Sequence, residues 1–286
     1  MLDRPARVFF DGMLSDPQLD HAEGVAVAAD GGVWCGGERG QIFRVEPDGS
    51  AIEQVATTGG FCVGVAFAPD GALFVCDVGH AAIMRVDVQT GRVERFADQA
   101  GGRKLRVPNY PAFDADGRLY VSDSRAQGDP GPGLYRFDPD GRGELWYSAP
   151  LDFANGLALA PGGDALYVVE SWGRRVVRIA IEADGSAGTA DTFVDLPGTI
   201  PDGLAFAADG ALYVALYQPS RVLRVEPDGS IGLVAEDPDA HLLCHPTNIA
   251  FHGTDLITTN LGRWHLTVIE AGVEGVPLPP SEESRL

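Results

Sequence analysis

Short apolar runs recur along this 286-residue chain in one repeated order, separated by glycine, proline and aspartate. Copies of a single pattern, an opening residue followed by an apolar run, begin every 40–47 residues. We call the six opening residues the openers: Glu23, Val63, Asn109, Asn155, Asp202 and Thr247. A period in this range, with turn signals inside each copy, is typical of a β-propeller rather than of a helical solenoid.

The fifth copy shows most clearly that each copy contains four strands, which we call A to D. Its apolar or alternating runs cover residues 204–208, 211–215, 221–225 and 231–235. Asp209-Gly210 lies between strands A and B, and Asp228-Gly229 lies between strands C and D. Asp-Gly favours a tight turn because glycine adopts a positive φ. Similar punctuation in the other copies predicts an all-β, six-bladed β-propeller with four antiparallel strands per blade.

The tight A–B and C–D turns must lie on one face of such a propeller, which we call the turn face. The longer B–C and D–A loops then lie on the opposite loop face, where function is expected. The sixth copy has only three predicted strands, and Arg7-Val-Phe-Phe10 before the first copy has the pattern of the missing fourth strand. We expect this N-terminal strand to close the ring and remove an exposed sheet edge, making residues 1–286 one domain.

Composition narrows the range of partners. The net charge of −20 argues against binding to nucleic acids or anionic membranes, which require a basic surface. No apolar run approaches the ~18 residues of a membrane span, and the N-terminus lacks a secretory apolar segment, so we expect a cytoplasmic protein. The four cysteines show no metal-site spacing and are expected to be reduced. The oligomeric state stays open.

The openers carry the strongest chemical signal in the sequence. Strand A is the innermost strand of a propeller blade, so the openers are expected to meet at the central channel. Glu23 and Asp202 would be buried carboxylates that repel each other, a cost that a hard divalent cation removes. Ca²⁺ prefers carboxylate and amide oxygens, and no opener is the histidine that zinc and copper favour. Taken singly, Asn155-Gly156 and Asp202-Gly203 are more typical of turns before a strand. In matched register with Glu23 and Asn109, a metal site becomes the better interpretation.

Motifs at the openers resemble those of the family that contains senescence-marker protein, gluconolactonases and luciferin-regenerating enzyme. The resemblance runs from about residue 20 to residue 272. Its carriers are Glu23-Gly24, Arg106-x-x-Asn109, Asn155-Gly-Leu-Ala-Leu-Ala-Pro, Pro201-Asp202-Gly203-Leu-Ala-Phe and His245-Pro-Thr-Asn248-Ile-Ala-Phe. It implies a six-bladed propeller with one catalytic divalent metal, commonly Ca²⁺, and lactone hydrolysis as the reaction.

The resemblance also implies roles for individual residues. Glu23, Asn155 and Asp202 would bind the metal, and Asp202 would also act as general base for water. Asn109 and Arg106 would contact a small-molecule lactone or ester. Ca²⁺ is the expected cofactor, with Zn²⁺, Mn²⁺ or Mg²⁺ as possible replacements. The metal would polarise the lactone carbonyl while a carboxylate takes a proton from the attacking water.

Two positions depart from the family pattern. Tyr110 follows Asn109 where gluconolactonase-like members usually carry aspartate, and Val25 follows Glu23-Gly24 where proline is usual. Both changes make the channel mouth less polar, which disfavours a sugar lactone more than it disfavours the metal. Tyr110 is assigned to substrate binding, as one of several aromatic residues in predicted loop-face segments; the others are Phe61, Trp172, Tyr217 and Trp264. They either stack on an apolar substrate or pack the loops.

Several candidates keep two interpretations. His21 and His245 each lie two residues before an opener, and they form either a proton relay or local hydrogen bonds. Cys62 is either a nucleophile paired with histidine or a small core residue. Acidic residues at the ends of B strands either bind substrate or brace loops; they are Asp77, Asp123 and Glu170.

Three rival functions also stay open. The first is an organophosphate-type hydrolase on the same metal. The second is a metal-free enzyme resembling strictosidine synthase, another six-bladed propeller, although the carboxylates at the openers argue against it. The third is a non-catalytic ligand-binding propeller in which the metal is structural.

Overall fold

The computed structural model describes residues 6–125, 129 and 131–277. The predicted extent of the domain, residues 1–286, therefore reaches beyond the described residues. Within them the structure is all-β, with six four-stranded antiparallel sheets arranged as the predicted six-bladed propeller. No helix in these ranges is long and apolar enough to span a membrane.

The strands follow the repeat, four to a blade. The N-terminal strand β1 is Ala6–Asp11. Blade one contains β2 (Val25–Val27), β3 (Val33–Gly36), β4 (Gln41–Val45) and β5 (Ile52–Thr57). Blade two contains β6 (Cys62–Phe67), β7 (Leu73–Asp77), β8 (Ala82–Val86) and β9 (Val93–Ala97). A short hairpin follows, formed by β10 (Gln99–Ala100) and β11 (Arg103–Lys104).

The second half of the propeller has longer strands. Blade three contains β12 (Pro108–Phe113), β13 (Leu119–Asp123), β14 (Gly131–Phe137) and β15 (Gly143–Leu151). Blade four contains β16 (Ala154–Leu159), β17 (Ala165–Glu170), β18 (Arg175–Ile181) and β19 (Ala187–Asp195). Blade five contains β20 (Ile200–Phe206), β21 (Leu212–Gln218), β22 (Arg221–Val225) and β23 (Ile231–Glu236). Blade six contains β24 (Pro246–His252), β25 (Asp255–Asn260) and β26 (His265–Glu270), with β1 as its outer strand.

The Asp-Gly signals form the predicted tight turns. Gly31 and Gly210 have φ of 84° and 89°, a region that glycine enters without a steric penalty. The preceding aspartates stabilise these turns, because Asp30 Oδ1 accepts a hydrogen bond from Gly32 N at 2.9 Å. The uniform turn chemistry explains why the strand pattern could be read from the sequence.

The N-terminal strand closes the ring as predicted. Strand β1 pairs antiparallel with β26, from Ala6 opposite Ile269 to Asp11 opposite His265. Phe10 is buried among the apolar side chains between blades six and one, whereas Val8 on the same strand is 37% exposed. The inner strands then contact one another in the closed order β2, β6, β12, β16, β20, β24 and back to β2.

Phe10→Ala should lower the free energy of unfolding by about 3 kcal/mol, because it removes a large buried side chain that joins β1 to the rest of the ring. Val8→Ala is the matched control on the same strand and should change stability by no more than about 0.5 kcal/mol. Urea denaturation followed by tryptophan fluorescence measures both. Equal losses for the two variants would contradict the role of β1 in holding the ring closed.

Candidate active site

The openers meet where the inner strands come closest. Glycine follows four of them, and each of these glycines lies against the backbone of the next opener around the ring. A Cβ atom on Gly64 would lie 2.3 Å from the Asn109 carbonyl oxygen, and one on Gly156 would lie 2.3 Å from that of Asp202. Because glycine has no side chain, neighbouring inner strands can approach closely at these four junctions, which brings the openers towards one axis.

The polar openers are buried at this axis. We call them, together with the side chains that contact them there, the axial ring, or simply the ring. Glu23 is 6% exposed and Asp202 is 7% exposed, and the side chains of Asn109, Asn155 and Thr247 are also buried. Thr247 Oγ1 donates a 2.7 Å hydrogen bond to the main-chain oxygen of Glu23, which joins blade six to blade one. The structure thus brings together the three residues predicted to bind metal and places Asn109 in the same ring.

Several oxygen atoms of the ring have no hydrogen-bond partner among the described residues. They are Oδ1 of Asn109, Asn155, Asp202 and Asn248. The orientation of Asn155 is fixed, since its Nδ2 donates to Ser171 Oγ at 3.1 Å and Ser171 Oγ donates to the Pro201 carbonyl at 2.7 Å. Buried acceptors without partners are uncommon and require an explanation. Carboxylate and amide oxygens are the ligands that a hard divalent cation prefers, so this donor set fits Ca²⁺.

The electrostatics of the ring agree with that fit. Burial raises the pKa of Glu23 to about 8, against a smaller lowering by the Asn248 hydrogen bond. Burial also raises the pKa of Asp202 well above its usual range, and the negative charge of Glu23 raises it further. No positively charged side chain in the described part of the chain forms an ion pair with either carboxylate. When both groups are ionised, two like charges share a buried axis without a protein cation to offset them, which is why protonation is favoured there.

Asn248 belongs to the ring, although it was not predicted as a site residue. It occupies the position that is glycine after the openers of blades one, two, four and five. Its Nδ2 donates to the main-chain oxygen of Glu23 at 3.1 Å and to Glu23 Oε2 at 3.4 Å. The exception to the glycine pattern was visible in the sequence and could have identified this residue.

Tyr110 is the other exception to the glycine pattern, and the prediction that it lies in a loop-face segment is wrong. It lies inside β12, is 8% exposed, and its backbone N–H donates to Ser122 Oγ at 3.0 Å. Its side chain helps to line an apolar cavity of about 250 Å³ on the turn side of the ring, with Phe113, Leu204 and Ile249 among its neighbours. Burial raises the pKa of its phenol, and the charge of Glu23 adds to this effect.

The backbone of Arg106 is held by Asp123, whereas its guanidinium points to a partner away from the openers. Its N–H donates to Asp123 Oδ2 at 2.8 Å, and the next N–H, that of Val107, donates to Asp123 Oδ1 at 2.7 Å. The exposed guanidinium lies 3.3 Å from Asp129, so it has a partner outside the ring of openers. The structure places Arg106 in the loop leading to Asn109 and shows no contact between the two side chains.

The acidic residues at the ends of B strands brace loops. Besides Asp123, Asp77 accepts hydrogen bonds from the N–H groups of Phe61 and His80 at 3.1 and 2.9 Å. Glu170 accepts one from Asp152 N at 2.7 Å and forms an ion pair with Arg175. These carboxylates hold the D–A loops that lead into the openers, which is the bracing role foreseen from the sequence.

The two histidines have separate aromatic partners. His21 stacks on Trp264 with ring centroids 4.9 Å apart, and its Nδ1 lies 3.2 Å from Glu38. His245 stacks on Tyr217 at 4.6 Å, and its Nδ1 lies 3.0 Å from the Tyr217 carbonyl oxygen. These contacts support local bonding rather than a shared relay.

Two further candidate sites, an acidic cluster and a cysteine, are less favourable for catalysis or ion binding. Asp20, His21 and Glu38 lie close enough to share an ion, but Asp20 already accepts hydrogen bonds from Arg39 and Gln41. Cys62 is buried, like the other three free cysteines. Burial raises the pKa of the Cys62 thiol to about 12, so it is a poor source of thiolate.

Fold and ring together define a six-bladed propeller with an axial site lined by carboxyl and amide oxygens. Residues 38–260 match the family model described as SMP-30/Gluconolactonase/LRE-like region, and the chain belongs to this family.

The chain is also similar in sequence to several proteins with assigned names. A gluconolactonase of Zymomonas mobilis is 31% identical over 198 residues, covering 61% of this chain and 54% of that protein, so the match spans about half of its length. Lactonase drp35 of Staphylococcus aureus is 28% identical over 243 residues, covering 77% and 72% of the two chains. Protein STRICTOSIDINE SYNTHASE-LIKE 6 of Arabidopsis thaliana is 26% identical over 223 residues, covering 72% and 57%.

Solved structures agree on the fold. A gluconolactonase from Xanthomonas campestris superposes with a TM-score of 0.78 at 23% identity, covering 94% of this chain and 90% of that chain. Regucalcin of Agrobacterium tumefaciens, a calcium-binding protein, superposes with a TM-score of 0.76 at 18% identity, covering 97% of each chain. At these identities the likeness shows the shared propeller alone.

The buried carboxylates make the stability of the cation-free protein depend on pH. Glu23 ionises near pH 8 when folded but near 4.5 when unfolded, so the unfolded chain binds fewer protons between these values. The free energy of unfolding should therefore fall as pH rises through this window, and Asp202 acts in the same direction. Glu23→Gln should make this fall smaller.

Urea denaturation of wild type and Glu23→Gln in a chelator, at about pH 5 and about pH 8, measures the difference. Asp48→Asn, at an exposed turn, is the control and should follow wild type. A wild type that loses no more stability than Glu23→Gln across the window would show that Glu23 is not the desolvated acid of this ring.

Proposed function

We propose that this protein is a divalent-cation-dependent hydrolase that opens a lactone or a related ester, with Ca²⁺ as the cation. The observation that carries the proposal is the axial ring, where two buried carboxyl groups without a cationic partner share one site with several amide oxygens that lack hydrogen-bond partners within the described part of the chain. A cation offsets both the repulsion and the missing hydrogen bonds, which no other feature of the described residues does.

Glu23, Asn155 and Asp202 would hold the ion. When bound, it supplies a Lewis acid that polarises the lactone carbonyl and stabilises the developing oxyanion. The amide of Asn155 is already oriented by Ser171, so its Oδ1 needs no rearrangement to serve as a ligand. Asn248 holds Glu23 by donating from Nδ2 to its main-chain oxygen and to Oε2. The Oδ1 of Asn248 is buried beside Gly203 without a partner among the described residues.

Asp202 is assigned the proton transfers. One carboxylate oxygen takes a proton from water as the water oxygen bonds to the carbonyl carbon. The C–O bond of the lactone then breaks. The leaving alkoxide takes the proton from Asp202, which yields a hydroxy acid. Asn109, whose Oδ1 has no partner, would contact the substrate from the same ring. The apolar side chains around Tyr110 limit water on the turn side.

The comparisons support this choice of chemistry. The curated relatives include proteins named gluconolactonase and lactonase, and a structural neighbour is described as calcium-binding. The strictosidine-synthase-like relative keeps a metal-free enzyme as the rival. Carboxylates at the openers favour the hydrolase, because a site without a cation would leave them repelling each other.

Asp202→Asn should lower kcat/KM for lactone hydrolysis by about 10³-fold or more, since it removes both a cation ligand and the proton acceptor. Chelation should abolish the wild-type activity and added Ca²⁺ should restore it. Asp184→Asn, an exposed turn residue, is the matched control and should leave activity unchanged.

Calorimetric titration with Ca²⁺ should give one site in wild type and in Asp184→Asn, with much weaker binding in Asp202→Asn and Glu23→Gln. Undiminished lactone hydrolysis after complete chelation would overturn the cation dependence. Calcium binding in wild type with no hydrolysis of any lactone would favour the non-catalytic propeller.

A further inference from the structure

A second set of six side chains repeats in register with the openers. These residues lie two positions before each opener, and we call them the collar: His21, Phe61, Val107, Phe153, Ile200 and His245. All six are partly exposed, whereas every opener and every residue between collar and opener is buried. Such regularity across six blades points to a common position in the molecule rather than to six unrelated loops.

Strand pairing places the collar at the loop face of the ring. The residue just before an opener pairs with the end of strand B, as in Cys62 with Asp77 and Ala154 with Glu170. Phe61 and Phe153 therefore lie one residue beyond the paired part of their blades. A molecule that reaches the ring from the loop face has to pass these partly exposed side chains.

The collar consists of hydrocarbon and imidazole groups, with no carboxylate, ammonium or hydroxyl group. Aromatic residues of two B–C loops, Trp172 and Trp264, and one at the end of strand β21, Tyr217, extend it. Trp264 stacks on His21, Tyr217 stacks on His245, and Trp172 packs edge-on against Phe153 with ring centroids 6.0 Å apart.

Three serine hydroxyl groups near the collar form hydrogen bonds with the backbone. Ser124 Oγ donates to the Ala154 carbonyl at 2.7 Å, and Ser171 Oγ donates to the Pro201 carbonyl at 2.7 Å. Ser220 Oγ accepts from His245 N at 3.1 Å. Trp172 Nε1 has no partner among the described residues. Together with the two imidazoles and the Tyr217 hydroxyl, it offers fewer hydrogen bonds than a polyhydroxylated ligand requires.

From this chemistry we infer the substrate class of the site: a lactone with an aromatic or alkyl body rather than a polyhydroxylated sugar lactone. The inference rests on the proposed function for the reaction, but the collar is an independent set of residues. Sugar hydroxyls that leave water at the collar would find few hydrogen-bond partners, which costs free energy. An apolar body gains free energy by covering the same side chains.

Binding of inert analogues tests the collar separately from the chemistry. Two lactams are titrated calorimetrically into the calcium-loaded protein. One is the aromatic lactam in which N–H replaces the ring oxygen of dihydrocoumarin, and the other is D-gluconolactam. The aromatic lactam should bind at least about tenfold more tightly, the effect expected from burying part of an aromatic ring. Hydrolysis of dihydrocoumarin and D-glucono-δ-lactone, compared as kcat/KM, should show a preference in the same direction.

Phe153→Asn and Ile200→Thr make the collar more polar with little backbone strain. Phe153 has a φ of 62°, a conformation that asparagine tolerates, and threonine is branched at Cβ like isoleucine. Each variant should weaken binding of the aromatic lactam about three- to tenfold and leave gluconolactam binding within twofold. Val8→Thr, on the outer strand β1, is the matched control and should change neither.

The outcomes separate the two proposals. Equal or tighter binding of gluconolactam, or collar variants that affect both lactams equally, would overturn the apolar substrate class. If the aromatic lactam is preferred but neither lactone is hydrolysed, the collar inference stands and the proposed hydrolase fails. If Phe153→Asn does not fold, as judged by circular dichroism, Ile200→Thr alone decides the role of the collar.

Discussion

The structure depends on the enforced proximity of two buried carboxylates at the propeller axis. Glu23 and Asp202 lie in distant parts of the chain, and glycine contacts between successive inner strands hold their blades close together. Neither carboxylate has a positively charged side chain as partner in the described ranges. Burial raises the pKa of both, and the charge of Glu23 raises that of Asp202 further. A protein that needed only a stable axis would place apolar residues here, as it does at Val63. We therefore interpret the free-energy cost of burying these two carboxylates as a consequence of the cation binding that we propose.

Repetition allows the ring to vary without disturbing the blades. Each copy supplies the same turns and the same strand pairing, so the opener is free to be a carboxylate, an amide or valine. The following position is more constrained, because the next strand lies against it in four blades. Asn248 and Tyr110 break that rule in opposite ways: Asn248 bonds to Glu23, whereas Tyr110 fills space on the turn side of the ring. Both exceptions change the surroundings of the same two carboxylates.

The sequence allowed much of this architecture to be predicted, because each repeat carries the same turn signals and strand periods. Strand existence, blade number, closure by Arg7–Phe10 and the convergence of the openers all follow from that register. Side-chain partners do not. Arg106 pairs with Asp129, and Tyr110 lies in a strand rather than in a loop. Such choices depend on which of several neighbours a side chain meets in three dimensions, and a repeat pattern does not encode this.

Ring and collar form two tiers whose properties depend on each other. A collar of hydrocarbon and stacked aromatic groups lowers the local dielectric at the channel mouth, which strengthens every electrostatic interaction in the ring below. The same lowering makes cation-free carboxylates more costly, so the cation binding that we propose for the ring and the apolar character of its entrance would reinforce each other. An oxyanion formed at the ring would be stabilised by that cation in an environment with little competing water. On this view the departure of Tyr110 from the family pattern belongs with the collar, because both reduce the polarity around a charged centre.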